Sequence, residues 1–155
     1  MRLQKSDWRA SFLHEYRRIL EYCTNLVLTH DLVFACSRRG VGAVSTQALM
    51  NPLFGPLGIK LMQSGMATQQ VMQDLLKTDA GSDQRQVHLL PLQGEAVAHT
   101  GKACIDWCGH VSGQDFSIAG NMLAGPQVVA ETARVFQATQ GMPLAERLIL
   151  AMLFN

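Results

Sequence analysis

The sequence predicts an α+β domain, and three observations carry that reading. Apolar residues recur at intervals of three and four toward both ends of the chain. The middle holds short apolar runs broken by glycine, proline and asparagine. Helices, then strands, then helices is the order of segregated layers, not of alternating βαβ units. At 155 residues, with 48% hydrophobic and 16% charged residues, the chain is long enough for one domain with a sizeable core.

Each element has its own warrant. In residues 1–31, Ser6 stands before a stripe of Trp8, Phe12, Tyr16, Ile19, Cys23 and Leu26, which predicts a capped amphipathic helix. Such a helix covers its own core, docks on a partner or membrane surface, or is a leader without fixed structure. Residues 32–48 read as extended, with Val41, Ala43 and Val44 suited to a strand buried against another layer. Asn51-Pro52 and Gly55-Pro56 mark a turn. A helix carrying Leu57, Ile59, Leu61 and Met62 follows and stops at Gly65. Thr68 is placed to cap the next, whose inner face is Val71, Met72, Leu75 and Leu76. Residues 86–92 and 95–99, joined at Gln93-Gly94, predict a hairpin, and residues 109–111 and 115–119, joined at Ser112-Gly113, predict a second. Pro126 opens a helix that ends before Gly141, and Pro143 opens another bearing Leu144, Leu148, Ile149 and Met152.

Candidate chemistry concentrates in residues 98–125, AHTGKACIDWCGHVSGQDFSIAGNMLAG. His99, Cys104, Cys108 and His110 could in principle surround zinc. However, the C-x3-C spacing is not the usual knuckle, so two buried thiols and two satisfied histidines are the expectation, with no metal and no cofactor. A cysteine nucleophile needs a base and an oxyanion donor nearby. Cys104 and Cys108 have histidines close in sequence, and Cys36 has Arg38 and Arg39. Ser45, Thr46 and Gln47 end an apolar strand and Asn51 lies in the following turn, where polar groups either line a pocket or satisfy turn backbone. His99 and Asn121 each sit where an apolar strand gives way to glycine. Asn121 is a candidate oxyanion donor, or else a turn residue bonded to its own backbone.

Several motifs together resemble a known family. RGVGAVSTQA, NP.FGP.G, HTG.AC..W.GH, GNMLAGP and PLAERL, spread over residues 35–153, are similar to the family of unknown function DUF1028, which is Ntn-hydrolase-like. The resemblance implies a four-layer αββα sandwich with two facing antiparallel sheets, and hydrolysis of an amide bond in a small molecule. In such enzymes the first residue of the first strand attacks, with its own α-amine as base; a free α-amine has a pKa near ~8, suited to that task. The residues themselves, not the resemblance, offer Thr46, Asn51, His99 and Asn121 as substrate-binding candidates, of which His99 and Asn121 are the catalytic candidates. The opening MRLQKSDWRASFLHEYRRILEYC does not match the family's first strand. Residues 1–31 are therefore expected to be a non-matching leader and residues 32–155 a partial sandwich in which no residue inherits the nucleophile. The alternative is a non-catalytic small-molecule-binding module, or an inactive product of a disrupted gene.

Composition narrows the partners. A net charge of +1 offers no footprint for nucleic acid. No apolar run approaches the ~18 residues of a membrane span. Four cysteines are too few for a disulfide scaffold, and a cytoplasmic protein is expected, with homo-oligomerisation possible.

Overall fold

The computed structural model describes residues 34–153; the helix predicted within residues 1–31 lies outside that span. The described chain is a mixed α and β structure with four α-helices and two antiparallel sheets. Strands β1 (Phe34–Arg38), β2 (Gly42–Ala48), β3 (Arg85–Pro91) and β4 (Val97–Thr100) form the first sheet in that order, and β5 (Gly109–Ser112) pairs with β6 (Ser117–Gly120) in the second. Helices α1 (Phe54–Gln63) and α2 (Thr68–Lys77) lie between β2 and β3, and α3 (Pro126–Ala138) and α4 (Leu144–Leu153) close the chain.

Register decides which side chains share a face. Val44 pairs with Leu89, Thr46 with Val87, and Val87 in turn with His99. Side chains alternate along a strand, so these residues occupy one face, and Ser45, Gln47, Gln86, His88 and Thr100 occupy the other. The first face packs on α1 and α2, where Val44, Val87 and Leu89 meet Phe54, Ile59, Val71, Met72 and Leu75. Each such side chain contributes roughly 1.5–3 kcal/mol by leaving water. A second core joins Ile118 and Phe116 to Val129, Ala133, Phe136, Leu144 and Ala151. Phe116 and Phe136 lie tilted with ring centres 5.6 Å apart. Arg147, buried in α4, stacks its guanidinium 4.0 Å from the Phe136 ring centre and donates to the Phe136 carbonyl at 3.0 Å. The helix pairs thus cover the outer faces of the two sheets, and the inner faces meet each other.

Three expectations need correction. Within the extended run expected over residues 32–48, the described residues 34–48 form a hairpin: the chain reverses at Arg39-Gly40, with φ +76° at Gly40, before β2. Thr68 is the first helical residue of α2 and caps nothing; Ala67 occupies the cap position in extended conformation. Gly55-Pro56, expected to mark a turn, lies instead in the first turn of α1, where proline's missing N–H would have no helical partner in any case; other punctuation agrees. Gly65 terminates α1 with φ +84°, a conformation costly for any residue bearing a Cβ. Pro126 is the first residue of α3, where its missing N–H is immaterial. Among the described residues no helix is long and apolar enough to cross a membrane.

Candidate functional site

The space between the sheets is filled by hydrogen-bonded polar side chains. Gln86, on the central strand β3, is fully buried and forms the hub. Its Nε2 donates to the Gly120 carbonyl at 2.8 Å, to Thr100 Oγ1 at 3.1 Å and to the Gly109 carbonyl at 3.2 Å. Its Oε1 accepts from Gln47 Nε2 at 2.8 Å and Asn121 Nδ2 at 3.2 Å. Gly109 and Gly120 are directly paired between β5 and β6, so one carboxamide of the first sheet clamps both strands of the second. On the same face, two residues along, His88 Nδ1 bonds Ser117 Oγ at 2.5 Å, and Ser117 Oγ bonds Ser112 Oγ at 2.9 Å. His110 reaches across from β5, its Nδ1 at 2.8 Å from Thr100 Oγ1.

Electrostatics follow from burial. His88 is 3% exposed. Burial, reinforced by His110 nearby, pushes its pKa down to about 3, so the ring is neutral at pH 7. Partial withdrawal from water, then the proximity of His99, also holds His110 below the ordinary imidazole value. Both loop thiols are disfavoured as thiolates. Burial and then Cys108 raise the Cys104 pKa, whereas burial and then Asp106 raise that of Cys108. Neither is an activated nucleophile at neutral pH.

The sequence candidates divide between two faces and a turn. Asn121, 1% exposed, lies between the sheets within the Gln86 network. Thr46 and His99 lie on the helix side of the first sheet, separated by Val87. Thr46 Oγ1 is buried with no hydrogen-bond partner among the described residues, and His99 Nε2 bonds the Ser82 carbonyl at 3.1 Å. Asn51 belongs to a third group. Its Nδ2 donates to Asp79 Oδ2 at 2.9 Å and its Oδ1 accepts from the Leu53 N–H at 3.1 Å, pinning the start of α1. Arg85 Nε also donates to Asp79 Oδ2 at 2.9 Å; Arg85 first, then Asn51, draws the Asp79 pKa down to about 2. Cys104 and Cys108 contact the carbonyls of Arg85 and Cys104 respectively. Among the described residues, no three His, Cys, Asp or Glu side chains gather as a metal-ligand set.

Sequence reasoning missed Gln86, His88 and Ser117. The signal was present in RQVHLLP, where polar Gln86 and His88 alternate with Val87 and Leu89. Read as one apolar run, the segment hides that alternation; read with period two, it predicts a strand with a polar inner face. Two non-glycine residues with positive φ flank the same end of the layer, Ala48 at 64° and Met122 at 55°. Residues of that kind are uncommon and mark backbone held in place by its surroundings. Two cavities lie elsewhere. One of about 720 Å³ is bordered by Gly40, Met62, Thr68 and Pro91, and one of about 430 Å³ by Asp115, Phe136, Gln140 and Arg147.

Comparison with known proteins follows the same lines. A family model, described as a family of unknown function (DUF1028), matches residues 31–154. A crystal structure of a Silicibacter pomeroyi protein with that family description is similar at a TM-score of 0.72 and 23% identity, over 77% of this chain and 55% of that one. That likeness speaks to the fold, and this chain spans about half the length of the solved relative. No curated protein matches. With the family model running over the whole described span, the chain belongs to the family of unknown function DUF1028.

Proposed function

We propose that the chain is part of an Ntn-hydrolase-type αββα sandwich, and that the family's chemistry is hydrolysis of an amide bond in a small molecule. One observation carries the reading: the facing sheets bury amides, imidazoles and hydroxyls between them where a purely structural sandwich places apolar side chains. Buried polar groups add less to stability than well-packed apolar ones, which makes a layer of them a candidate for chemistry. Amide hydrolysis needs donors for the developing oxyanion in a place shielded from water. Asn121 suits that task, because its Nδ2 gives one hydrogen to Gln86 Oε1 and has a second to offer. His99 is proposed to orient substrate or handle a proton, and Thr46 and Asn51 to contact substrate. A reducing, cytoplasmic setting belongs to the same proposal, with Cys36, Cys104 and Cys108 as free thiols. So does self-association, since Leu49, Leu53, Ile105, Ile149 and Leu153 are exposed.

A second reading, a non-catalytic small-molecule-binding module, draws on a different observation. Gln47, Gln86 and Asn121 satisfy one another, as groups with a static role do. The two readings separate when the chain and a longer family member are incubated with a panel of small amides. Amine release is followed by fluorescence, and binding by ligand-observed NMR. Amine release that falls when Asn121 is replaced by Ala supports hydrolysis. Saturable binding without amine release from either protein supports the binding module. Neither response from either protein rejects both.

A further inference from the structure

His88 poses a question that the hydrogen-bond network leaves open. Its Nδ1 is engaged by Ser117, but its Nε2 is buried with no partner among the described residues. An orphaned polar atom in the interior costs about 1–3 kcal/mol and calls for an explanation. The neighbouring ring is His110, with ring centres 6.5 Å apart and planes at 80°. His110 is likewise engaged through Nδ1, by Thr100 Oγ1. When each Nδ1–H donates to its hydroxyl, each Nε2 carries a lone pair. This is how metal-binding histidines are usually held, with the second nitrogen fixed by an outer hydrogen bond.

We propose that His88 and His110 form a two-imidazole site for a divalent transition-metal ion of the copper–zinc class. Metal–nitrogen bonds of about 2.0–2.1 Å put the ring centres of two imidazoles on one ion roughly 5–6 Å apart. His110 is exposed, so its side chain is free to adjust toward the His88 ring, whose centre lies 6.5 Å away. The neutral imidazole, with its second nitrogen held by an outer hydrogen bond, is the form that coordinates. No third protein ligand joins them among the described residues, so the other positions fall to water or a bound molecule. The site differs from the His99, Cys104, Cys108 and His110 combination suggested by sequence spacing. It is independent of the amide-hydrolysis reading.

The test uses the full chain and Cu(II), the tightest binder of the divalent series. One equivalent of Cu(II) should give an electron paramagnetic resonance spectrum with splitting from two imidazole nitrogens, and only a large excess of Zn(II) should compete it away. His88→Phe and His110→Gln should each abolish the two-nitrogen signature, and Ser117→Ala should weaken binding about 10–100-fold. His99→Gln and the Cys104→Ser/Cys108→Ser pair should leave it intact. If His88→Phe does not fold, His110→Gln at its exposed position decides alone. The proposal is overturned if wild type binds no copper at equimolar concentration. It is equally overturned if the signature survives His110→Gln, or if His99→Gln removes it.

Discussion

Replacing Gln86 by Leu tests the clamp between the sheets directly. Leucine nearly preserves the side-chain volume, so little cavity forms and the loss is one of hydrogen bonding. Five bonds disappear, those to Thr100, Gly109 and Gly120 and those from Gln47 and Asn121. Thr100 retains His110 as a partner. The Gly120 carbonyl, Gln47 Nε2 and Asn121 Nδ2 remain buried and lose a partner. At about 1–3 kcal/mol for each orphaned group, less what relaxation recovers, the expected loss is about 3–5 kcal/mol. That is a large share of the ~5–15 kcal/mol that separates a domain of this size from its unfolded state. Urea unfolding followed by circular dichroism should show a lower midpoint with an unchanged slope. The thermal midpoint should fall by about 10–20 °C. Gln86→Glu is the informative companion. At neutral pH it sets an acceptor against the Gly109 and Gly120 carbonyls, so it should be at least as destabilised. Burial raises a carboxyl pKa, so part of the loss should return on mild acidification. A Gln86→Leu protein within about 1 kcal/mol of wild type would refute the clamp.

Further expectations follow from the same geometry. Asn121→Ala should lose about 1–3 kcal/mol, since Gln86 Oε1 then keeps Gln47 as its one remaining donor; in a hydrolytic family member it should also lower kcat about 10²–10³-fold. Unchanged stability would take Asn121 out of the network. Thr46→Val removes a buried hydroxyl with no hydrogen-bond partner among the described residues and should raise the unfolding free energy by about 1 kcal/mol. If Thr46 contacts substrate, the same variant should bind ligand more weakly while melting higher. His88 is neutral when folded, with a pKa of about 3 against the ordinary 6.5, so the unfolded chain takes up the proton first. Its contribution is complete above pH 6.5 and is lost as pH falls toward 3, at up to about 1.4 kcal/mol per unit. Asp79, depressed to about 2, adds its own loss only below about pH 4. Urea titrations at pH 7, 5.5 and 4 should show the His88 slope, and its persistence in His88→Phe would refute the assignment.

Local chemistry was readable where one residue determines the outcome alone. Gly65, Pro126 and Gly141 mark helix ends because backbone freedom and a missing N–H act within one turn. The hairpin at Arg39-Gly40 was less visible, since the apolar residues on either side look like one extended run until the turn is placed. The candidate site was legible only in part. Asn121 was picked out by its glycine neighbour, yet its environment is a buried amide network and not a turn. His99 and Asn51 were picked out by the same kind of local argument. Their bonds go to the Ser82 carbonyl and to Asp79, which no spacing rule could name.

The sequence by itself determined the helices, the two central hairpins and the outward-facing apolar surfaces of both sheets, because periodicity and turn chemistry act over a few residues. It also placed the chain in its family through motifs long enough to be distinctive. Tertiary structure alone decided which polar groups meet. Gln47, Gln86, Thr100, Gly109 and Asn121 lie up to 74 residues apart (121 minus 47) and converge because antiparallel register stacks their strands at one level. The position of each such strand is set by packing against the two helical cores. A buried hydrogen bond depends on the relative placement of two surfaces to a few tenths of an ångström, and that placement is a property of the assembled layers.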